Sequence, residues 1–594
     1  MFESRKTARC TVRLRQLATV SVCVATLLAQ GCTQPAGESD SQSETVVISV
    51  VGTNDVHGQL LPVDGNRGLA LFGGYVNNLR ETRAEDGGAV VLIDAGDMWQ
   101  GTLESNLTEG SSVVEAFNQL GYVAATVGNH EFDFGPVGEK PIPVTDADDP
   151  QGALIARAAE AEFAMLAANI MDTATGETVD WPGIQPSILL DVANVKIGIV
   201  GILSKFGLQE VIAANAPGLH MASLVESITS QAQELRDNGA EIVIVTAHAG
   251  SRCASFEDSS DASSCNMDDE IMRVAQDLPV GLVDQIVAGH THAGIAHEVN
   301  GIAITESFSR TAAFGRVDFT FDVRKREILH KTIFPPQAIC SYQEDSSPVC
   351  ASEDDPGASP AMYSGKIVSP DPGVIMIASK AAAYADEIKS EKLGVFLETP
   401  FTLSRETGSV LGHLFMDAVL ASTDGDVLIQ NVRGGLRAEL PQGELTYGSV
   451  YEVFPFDNRV VSLGFSGAEL REIIATQAVS TRSIEFSGMQ VFATCDDGSL
   501  DIKLQRPDGS VISDDEQLIV ITTDYLATGA VNVFDPVELD RLDFPLMREV
   551  FVDWLRAHGG TLNADQFLEA DSPRWNLPKA GDVDCEIVAP AAAM

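Results

Sequence analysis

Residues 124–133 read AATVGNHEFD, a short apolar run that ends in the ligand-type side chains Asn129, His130 and Asp133. Four further segments follow apolar runs and carry the same residue types. They are TNDVHG (Asp55 and His57), DAGD (Asp97), TAHAG (His248) and GHTH (His290 and His292). Carboxylate, imidazole and amide groups together suit a pair of divalent cations. Because two metal ions held close together are the usual device for hydrolysing phosphate esters, the segments predict a metal-dependent phosphohydrolase.

Residues 45–334 alternate β-branched runs with amphipathic stretches, which is typical of an α/β domain. Five of the six strongest strands lead directly into a ligand segment, and only VKIGIVGI (195–202) does not. Since the carboxyl ends of such strands converge, we expect residues from Asp55 to His292 to meet at one edge. The six strands are VVISVVG, AVVLIDA, AATVG, VKIGIVGI, EIVIVTA and QIVAG.

The composition indicates a globular protein with an acidic, solvated surface. Of 594 residues, 45% are hydrophobic and 21% are charged, and this length predicts two or more domains. The formal net charge of -47 argues against a nucleic acid as partner, because the overall field repels polyanions. We expect a small-molecule substrate that is attracted by metal ions and arginines, and the sequence implies no protein partner.

Residues 1–32 are predicted to be a signal or lipoprotein-like leader. A basic start precedes an apolar run, residues 17–29, that is short for a membrane span, and Gly31-Cys32 follows it. Two fates remain open: lipidation of Cys32, or ordinary cleavage with release into the periplasm. Residues 33–44 are polar and are predicted to be a flexible tether. The protein is therefore expected to be exported, with a lipid anchor as its only membrane contact.

Six cysteines follow the leader, and an even number in an exported chain suggests disulfides. Their spacing favours Cys253–Cys265 and Cys340–Cys350, which leaves Cys495 and Cys585 as the third pair. The histidines outside the ligand segments are assigned no chemistry, and His297 is expected at the surface. Those histidines are His220, His297, His330, His413 and His558.

The chain divides into a first domain (45–334), a linker with a connecting helix (335–394) and a second domain (395–588). The linker is rich in Ser, Asp, Pro and Gly without periodicity, and the helix is expected to end at Gly394. The second domain mixes strands and helices: VLIQNV, SVYEVFPF and RVVSLGFS are predicted strands, and GAELREIIATQAVS is a predicted helix.

The order DxH, GD, GNHE(F)D, H, GHxH resembles the calcineurin-like metallophosphatases. The segment RGGLRAELPQGELTYGSVYEVFPFDNRVV (433–461) resembles the C-terminal domain of 5′-nucleotidases, so the resemblance covers roughly residues 45–585. It implies an α/β fold, with an N-terminal four-layer α/β metallophosphatase domain and a second, α+β domain. It also implies 5′-nucleotidase activity with two divalent metal ions, zinc or manganese. The alternatives are a 2′,3′-cyclic nucleotide phosphodiesterase, a hydrolase of nucleotide sugars or other small phosphate esters, and a binding protein with an inactive domain.

The resemblance assigns a role to each ligand-type residue. One cation would take Asp55, His57, Asp97 and His292, and the other would take Asp97, Asn129, His248 and His290. Asp97 is expected to bridge the cations, so that a shared water supplies hydroxide near neutral pH. His130 is expected to face the phosphoryl oxygens, with Asp133 holding its ring.

The second domain is expected to select the leaving group. By the same resemblance, its substrate-binding residues are Arg405, Asn431, Arg437, Phe456 and Phe534. Arginine suits phosphate oxygens because its planar guanidinium binds them in pairs, and an aromatic ring suits a base. The sequence departs from the family at Gly529–Phe534, where Val531 replaces the acidic residue expected to hold the ribose. Phe534 is taken as the second stacking ring if this loop shifts by one residue.

Overall fold

The computed structural model describes most of the chain after the leader. The described residues are 45–63, 67–138, 140, 142–344, 349–403, 409–479, 484–496, 499–529, 532–537, 539, 545–568 and 573–576. They belong to one compact unit, Glu44–Met594. The helices in these ranges lack the combination of length and hydrophobicity that crossing a bilayer requires.

The first domain contains two β-sheets and the helices that flank them. Its strands are β1 (Thr45–Thr53), β2 (Ala89–Asp94), β3 (Ala124–Thr126), β4 (Ala164–Leu166), β5 (Ile170–Asp172), β6 (Ile184–Gln185), β7 (Ser187–Val192), β8 (Val195–Leu203), β9 (Leu219–Met221), β10 (Ile242–His248), β11 (Gln285–Ala288), β12 (Gly294–Val299), β13 (Ile302–Ser307), β14 (Ala313–Asp322) and β15 (Glu327–Ala338). Its helices are α1 (Leu69–Asp86), α2 (Leu103–Asn106), α3 (Ser111–Leu120), α4 (Gly152–Glu160), α5 (Leu224–Asp237) and α6 (Glu270–Asp277). All six predicted strands are confirmed, as β1, β2, β3, β8, β10 and β11.

The two sheets pack face to face. One has the order β15-β14-β1-β2-β3-β4-β6, and the other has the order β12-β13-β11-β10-β8-β7. Apolar side chains of both sheets, such as Ile48 and Ile244, are fully buried in the layer between them. Helices α1 and α3 cover the outer face of the first sheet, and α5 and α6 cover that of the second. This helix-sheet-sheet-helix arrangement confirms the predicted four-layer α/β domain.

Parallel pairing puts the strand ends that carry the ligand segments at one edge. In the first sheet, β1 pairs in parallel with β2, and β2 with β3. In the second, β10 pairs in parallel with β8 and β11. Thr126 Oγ1 in the first sheet donates to the Ile202 carbonyl of the second at 3.2 Å, which ties the sheets together near this edge.

The predicted linker is more ordered than its composition indicates. It contains β16 (Tyr342–Glu344), β17 (Cys350–Ala351), β18 (Ala358–Pro360), β19 (Met362–Tyr363), β20 (Lys366–Ile367) and helix α7 (Pro372–Lys389). Asp371 caps α7 by accepting hydrogen bonds from Gly373 N and Val374 N. The prediction that this helix ends at Gly394 is wrong. Residues 392–397 instead form a strand with alternating burial, because Leu393, Val395 and Leu397 face the second core.

The second domain is α+β. Its strands are β21 (Lys392–Leu397), β22 (Val427–Asn431), β23 (Gly443–Thr446), β24 (Val460–Ser466), β25 (Ile484–Ser487), β26 (Gln490–Asp496), β27 (Ser499–Gln505), β28 (Gln517–Thr523), β29 (Gly560–Leu562) and β30 (Trp575–Asn576). Its helices are α8 (Val410–Ala421), α9 (Val432–Gly435), α10 (Tyr447–Val453), α11 (Gly467–Val479), α12 (Asp524–Ala527) and α13 (Met547–His558). The strand predicted for SVYEVFPF is wrong. Its first half is helix α10, whose start is capped by the Thr446 side chain accepting from Ser449 N.

The two disulfides predicted from local spacing, Cys253–Cys265 and Cys340–Cys350, are both present. The third predicted pair falls outside the part that the structure describes in side-chain detail. The prediction that His297 lies at the surface is wrong: its side chain is buried, and its Nε2 lies 2.8 Å from the Ser255 carbonyl. His297 lies close to the first disulfide, but bonded sulfurs are not available as metal ligands.

We predict that replacing Cys340 and Cys350 together by alanine lowers the free energy of unfolding by roughly 2–4 kcal/mol, because the bond constrains the unfolded chain. Chemical denaturation monitored by tryptophan fluorescence measures the difference. When both proteins are unfolded in the presence of a reducing agent, their free energies of unfolding should become similar. An unchanged midpoint under oxidising conditions would contradict the prediction.

Candidate metal centre and substrate cavity

Two groups of ligand atoms meet at the common edge of the two sheets. Asp55, His57 and His292 form one group, and Asp97, His248 and His290 form the other, with the atoms of each group within 4.8 Å of one another. The residues follow β1, β2, β10 and β11, and His248 is the last residue of β10. The structure therefore brings together residues that are far apart in sequence, as expected from the positions of the motifs.

The backbone is strained where most of these side chains are presented. Left-handed φ angles are rare for residues other than glycine and cluster at functional sites. Five of the seven predicted ligands have them, at Asp55 (49°), His57 (48°), Asp97 (56°), His290 (77°) and His292 (54°).

The hydrogen bonds of Asp55 and His57 in the first group leave one atom of each side chain available to a cation. Asp55 Oδ2 accepts from Asn54 Nδ2 and His290 N at 2.7 and 2.9 Å. Asp55 Oδ1 is buried and accepts no hydrogen bond from the described residues. It lies 3.2 Å from His292 Nε2, which is itself 3.1 Å from His57 Nε2. His57 Nδ1 donates to the Gln100 carbonyl at 2.7 Å, so Nε2 keeps its lone pair.

The second group is arranged in the same way. His248 Nδ1 donates to the Ala95 carbonyl at 2.7 Å, which leaves Nε2 free. That nitrogen lies 3.0 Å from Asn129 Oδ1 and 3.2 Å from His290 Nδ1. When both imidazoles are neutral and carry their protons on the other ring nitrogens, the lone pairs of these three atoms face one another, an arrangement that fits a bound cation.

Asp97 lies between the two groups. Its Oδ2 is 3.2 Å from His248 Nε2 and 4.0 Å from His57 Nε2, which is the position expected of a bridging carboxylate. Its Oδ1 accepts from His130 N at 2.9 Å. Burial by itself raises the pKa of the Asp97 carboxyl, but the imidazoles of His248 and His130 lower it well below its ordinary value. The donor set and its orientation fit two divalent cations.

Glu131, which lies between the predicted site residues His130 and Asp133, holds two of the ligand loops. Its carboxylate accepts three backbone N–H groups, from Gly128 at 2.7 Å and from Asp97 and Met98 at 2.8 Å. The loops approach so closely that a Cβ at Gly128 would lie 2.3 Å from Asp97 Oδ1. This position therefore requires glycine.

His130 and Asp133 form the predicted pair. His130 Nδ1 and Asp133 Oδ2 are 2.7 Å apart, and both residues line the cavity beside the ligand groups. Burial lowers the pKa of His130, but the carboxylates of Asp133 and Asp97 more than compensate and raise it to about 9. A protonated His130 can donate Nε2–H to an anionic oxygen in the cavity.

Both domains line this cavity, whose volume is about 280 Å³. Of the predicted substrate-binding residues, Asn431, Arg437 and Phe456 lie in its wall. The Arg437 guanidinium carbon is 5.2 Å from the centre of the Phe456 ring, and that ring is 5.8 Å from the His130 ring. Arg405 and Val531 lie outside the described residues.

The prediction that Phe534 supplies the second ring is wrong in this structure. Phe534 is buried in the core of the second domain and stacks on Phe465 with ring centres 5.5 Å apart. A second aromatic residue of this domain, Tyr525, lines the cavity together with Phe456. It follows β28, so the rule that located the metal ligands, a functional residue just after a buried strand, could have found it.

Arg548 is a further residue that the sequence did not single out. It is buried, donates to the Phe456 carbonyl at 3.0 Å and to Asp457 Oδ1 at 2.7 Å, and so holds the loop that presents the Phe456 ring. Contacts across the two domains also support this loop. Gln100 Nε2 of the first domain donates to the Pro455 carbonyl at 3.0 Å, and Asn106 Nδ2 donates to the Tyr451 hydroxyl at 2.8 Å.

Comparison with known proteins gives matches over both domains. Residues 48–294 match the family model for calcineurin-like phosphoesterases, and residues 389–537 match the model for the 5′-nucleotidase C-terminal domain. Endonuclease YhcR of Bacillus subtilis (strain 168) is 25% identical over 508 residues, which are 84% of this chain but only 38% of that relative. The 5′-nucleotidase of Vibrio cholerae serotype O1 is 23% identical over 493 residues, which are 78% of this chain and 82% of the relative.

Among solved structures, the 5′-nucleotidase precursor from Thermus thermophilus has the same fold. The TM-score is 0.64 at 21% identity, over 86% of this chain and 97% of that one. The two family models match in the order in which the two domains follow each other here. The chain therefore belongs to the family of phosphate-ester hydrolases in which a calcineurin-like phosphoesterase domain precedes a 5′-nucleotidase C-terminal domain.

Proposed function

We propose that this protein is a 5′-nucleotidase that removes phosphate from nucleoside 5′-monophosphates. The observation that carries the proposal is the composition of one cavity. Two groups of metal-ligand atoms lie at one side of it, and Arg437, Phe456 and Tyr525 lie in the wall supplied by the second domain. A phosphate and a base joined by a ribose require these two kinds of surface close together.

Asp55, His57, Asp97 and His292 would hold one cation, and Asp97, Asn129, His248 and His290 the other. When bound, the cations would supply Lewis acidity toward the phosphoryl group and activation of water. Zinc or manganese is proposed, because both accept carboxylate, imidazole and amide ligands.

The remaining steps belong to side chains of this protein. Arg437 would bind phosphate oxygens, and its charge is available because burial, which lowers its pKa, still leaves an arginine protonated. His130 would donate from Nε2 to the oxygen on which charge develops, while Asp133 keeps its ring oriented. Phe456 and Tyr525 would contact the base. This contact would exclude water from the side of the cavity next to His130.

We also propose that the protein is exported. The leader-like residues 1–32 support this, as do the two disulfides, which are rare in reducing compartments. Lipidation of Cys32 and release into the periplasm remain the two possible outcomes of processing.

The activity is tested by chromatographic separation of the products formed from AMP, a 2′,3′-cyclic nucleotide, a UDP-sugar, an aryl phosphate and single-stranded DNA, with and without added Mn²⁺ or Zn²⁺. Phosphate release is measured in addition for AMP and the aryl phosphate, which are monoesters. We expect metal-dependent turnover that is fastest with AMP. Asp97→Asn should lower kcat by more than about 100-fold, because metal catalysis contributes several kcal/mol. Turnover of cyclic or aryl esters with AMP ignored would overturn the proposed substrate, and cleavage of DNA alone would favour a nuclease.

The role of the rings is tested separately with Tyr525→Ala and Phe456→Ala. Each should raise the KM for AMP by about 10-fold, since stacking a base is worth roughly 1–3 kcal/mol. Ribose 5-phosphate lacks only the base, so its kinetics should change much less. Phe534→Leu is the matched control and should leave the KM for AMP unchanged. A rise in KM for Phe534→Leu alone would restore the ring assignment made from the sequence.

The role of Glu131 gives a prediction about metal content. Glu131→Gln turns one acceptor oxygen into a donor that faces a backbone N–H, so the loops of Asp97 and Gly128 should separate. We expect the purified variant to hold fewer metal ions per chain than the wild type, as measured by elemental mass spectrometry. A variant with a similar melting temperature and a full metal complement would contradict this role.

A further inference from the structure

Of the six strands predicted from the sequence, β8 is the one that is not followed by a ligand segment. The loop after β8 nevertheless lies beside the two ligand groups. Ser204 N donates to the carbonyl of His248 at 2.9 Å, and a short turn, Gly207–Gln209, follows. Gly207 fits tightly here, since a Cβ at this position would lie 2.5 Å from Leu203 Cγ. The turn leads directly to Glu210, which lines the cavity.

The Glu210 side chain contacts one of the predicted ligands. Its Oε2 lies 3.0 Å from His290 Nε2, and the two side chains are 31% and 23% exposed. The other ring nitrogen, His290 Nδ1, faces His248 Nε2 at 3.2 Å and so points into the second ligand group. A neutral imidazole carries one proton, and a carboxylate can only accept it. Glu210 therefore places the proton of His290 on Nε2 and leaves the Nδ1 lone pair for a cation.

The main chain of the same residue contacts a second predicted ligand. Asn129 Nδ2 donates a long hydrogen bond, 3.5 Å, to the Glu210 carbonyl. This sets the orientation of the amide, because the NH₂ group faces Glu210 and Oδ1 faces His248 Nε2 at 3.0 Å. One residue thus orients two of the four side chains proposed to hold the second cation, His290 and Asn129.

We propose that Glu210 is a positioning residue for the second metal ion. Glu210 selects the tautomer of His290 and orients Asn129. The inference rests on the proposed function only in requiring two bound cations. Carboxylate partners of ligating histidines typically change metal affinity by about 10–100-fold when they are removed. Because both contacts lie in the second group, the effect should be confined to one of the two metal ions.

The test is calorimetric titration of metal-free protein with Mn²⁺. The wild type should bind two ions. Glu210→Ala should weaken one of them by about 10–100-fold and leave the other unchanged. Glu210→Gln keeps an acceptor oxygen at the same reach and should recover most of the affinity. Electron paramagnetic resonance provides a second readout: at two Mn²⁺ per chain, the wild type should show the exchange-coupled signal of a metal pair, and Glu210→Ala mainly the signal of isolated ions.

Gln209→Ala is the matched control, since Gln209 is the exposed neighbour in the same turn. It should bind both ions as the wild type does. Two ions bound by Glu210→Ala with unchanged affinity and a coupled signal would overturn the inference and leave the proposed function standing. Equal weakening of both ions, or no rescue by Glu210→Gln, would also overturn it. A wild type that binds no metal pair would instead refute the proposed function.

Discussion

The structure depends on the burial of carboxylates at the edge where the two sheets of the first domain meet. Asp55 and Asp97 are almost completely buried, and each has an imidazole nitrogen 3.2 Å from one of its carboxylate oxygens. A buried carboxylate is stable only when positive charge and hydrogen bonds compensate for the lost water. The arrangement of lone pairs around Asp55 Oδ1 and Asp97 Oδ2 leaves this compensation to cations. The surrounding fold then serves to keep these atoms in place.

Three further buried carboxylates perform this supporting task. Asp94 accepts a hydrogen bond from Gly96 N. Glu131 accepts hydrogen bonds from the backbone of the loops that follow β2 and β3, and Glu306 accepts one from Thr291 Oγ1 in the GHTH segment. Each holds a loop whose backbone includes left-handed residues. Such conformations persist only where the surroundings over-determine them. The proposed ligands are thus oriented by side chains that lie outside the two ligand groups.

The second domain contacts this centre through one loop. Arg548 and the interdomain contacts of Gln100 hold the backbone around Phe456, whose ring lies against His130. A group bound against Phe456 is therefore next to the residue proposed to act on the phosphate. Helix α7 joins the two halves, since Ala385 packs between Leu103 of the first domain and Tyr451 of the second. In the proposed function, the cavity wall formed by both domains would couple recognition of the base to the chemistry on the phosphate.

The sequence by itself located the six main strands, the residues that form the two groups of metal-type ligand atoms, the His130–Asp133 pair and two disulfides. These are local signals: a β-branched run followed by a ligand segment, or two cysteines closing a short loop. Tertiary structure decided the rest. Residues 392–397 became a strand rather than the end of a helix, because their alternating side chains complete a core formed by distant segments. Phe534 packs in that core, and Tyr525 lines the cavity. Glu210 acquired its place only through the pairing of β8 with β10. Tyr525 alone among these has a local signal, its position just after β28. The other contacts depend on which surface another part of the chain presents.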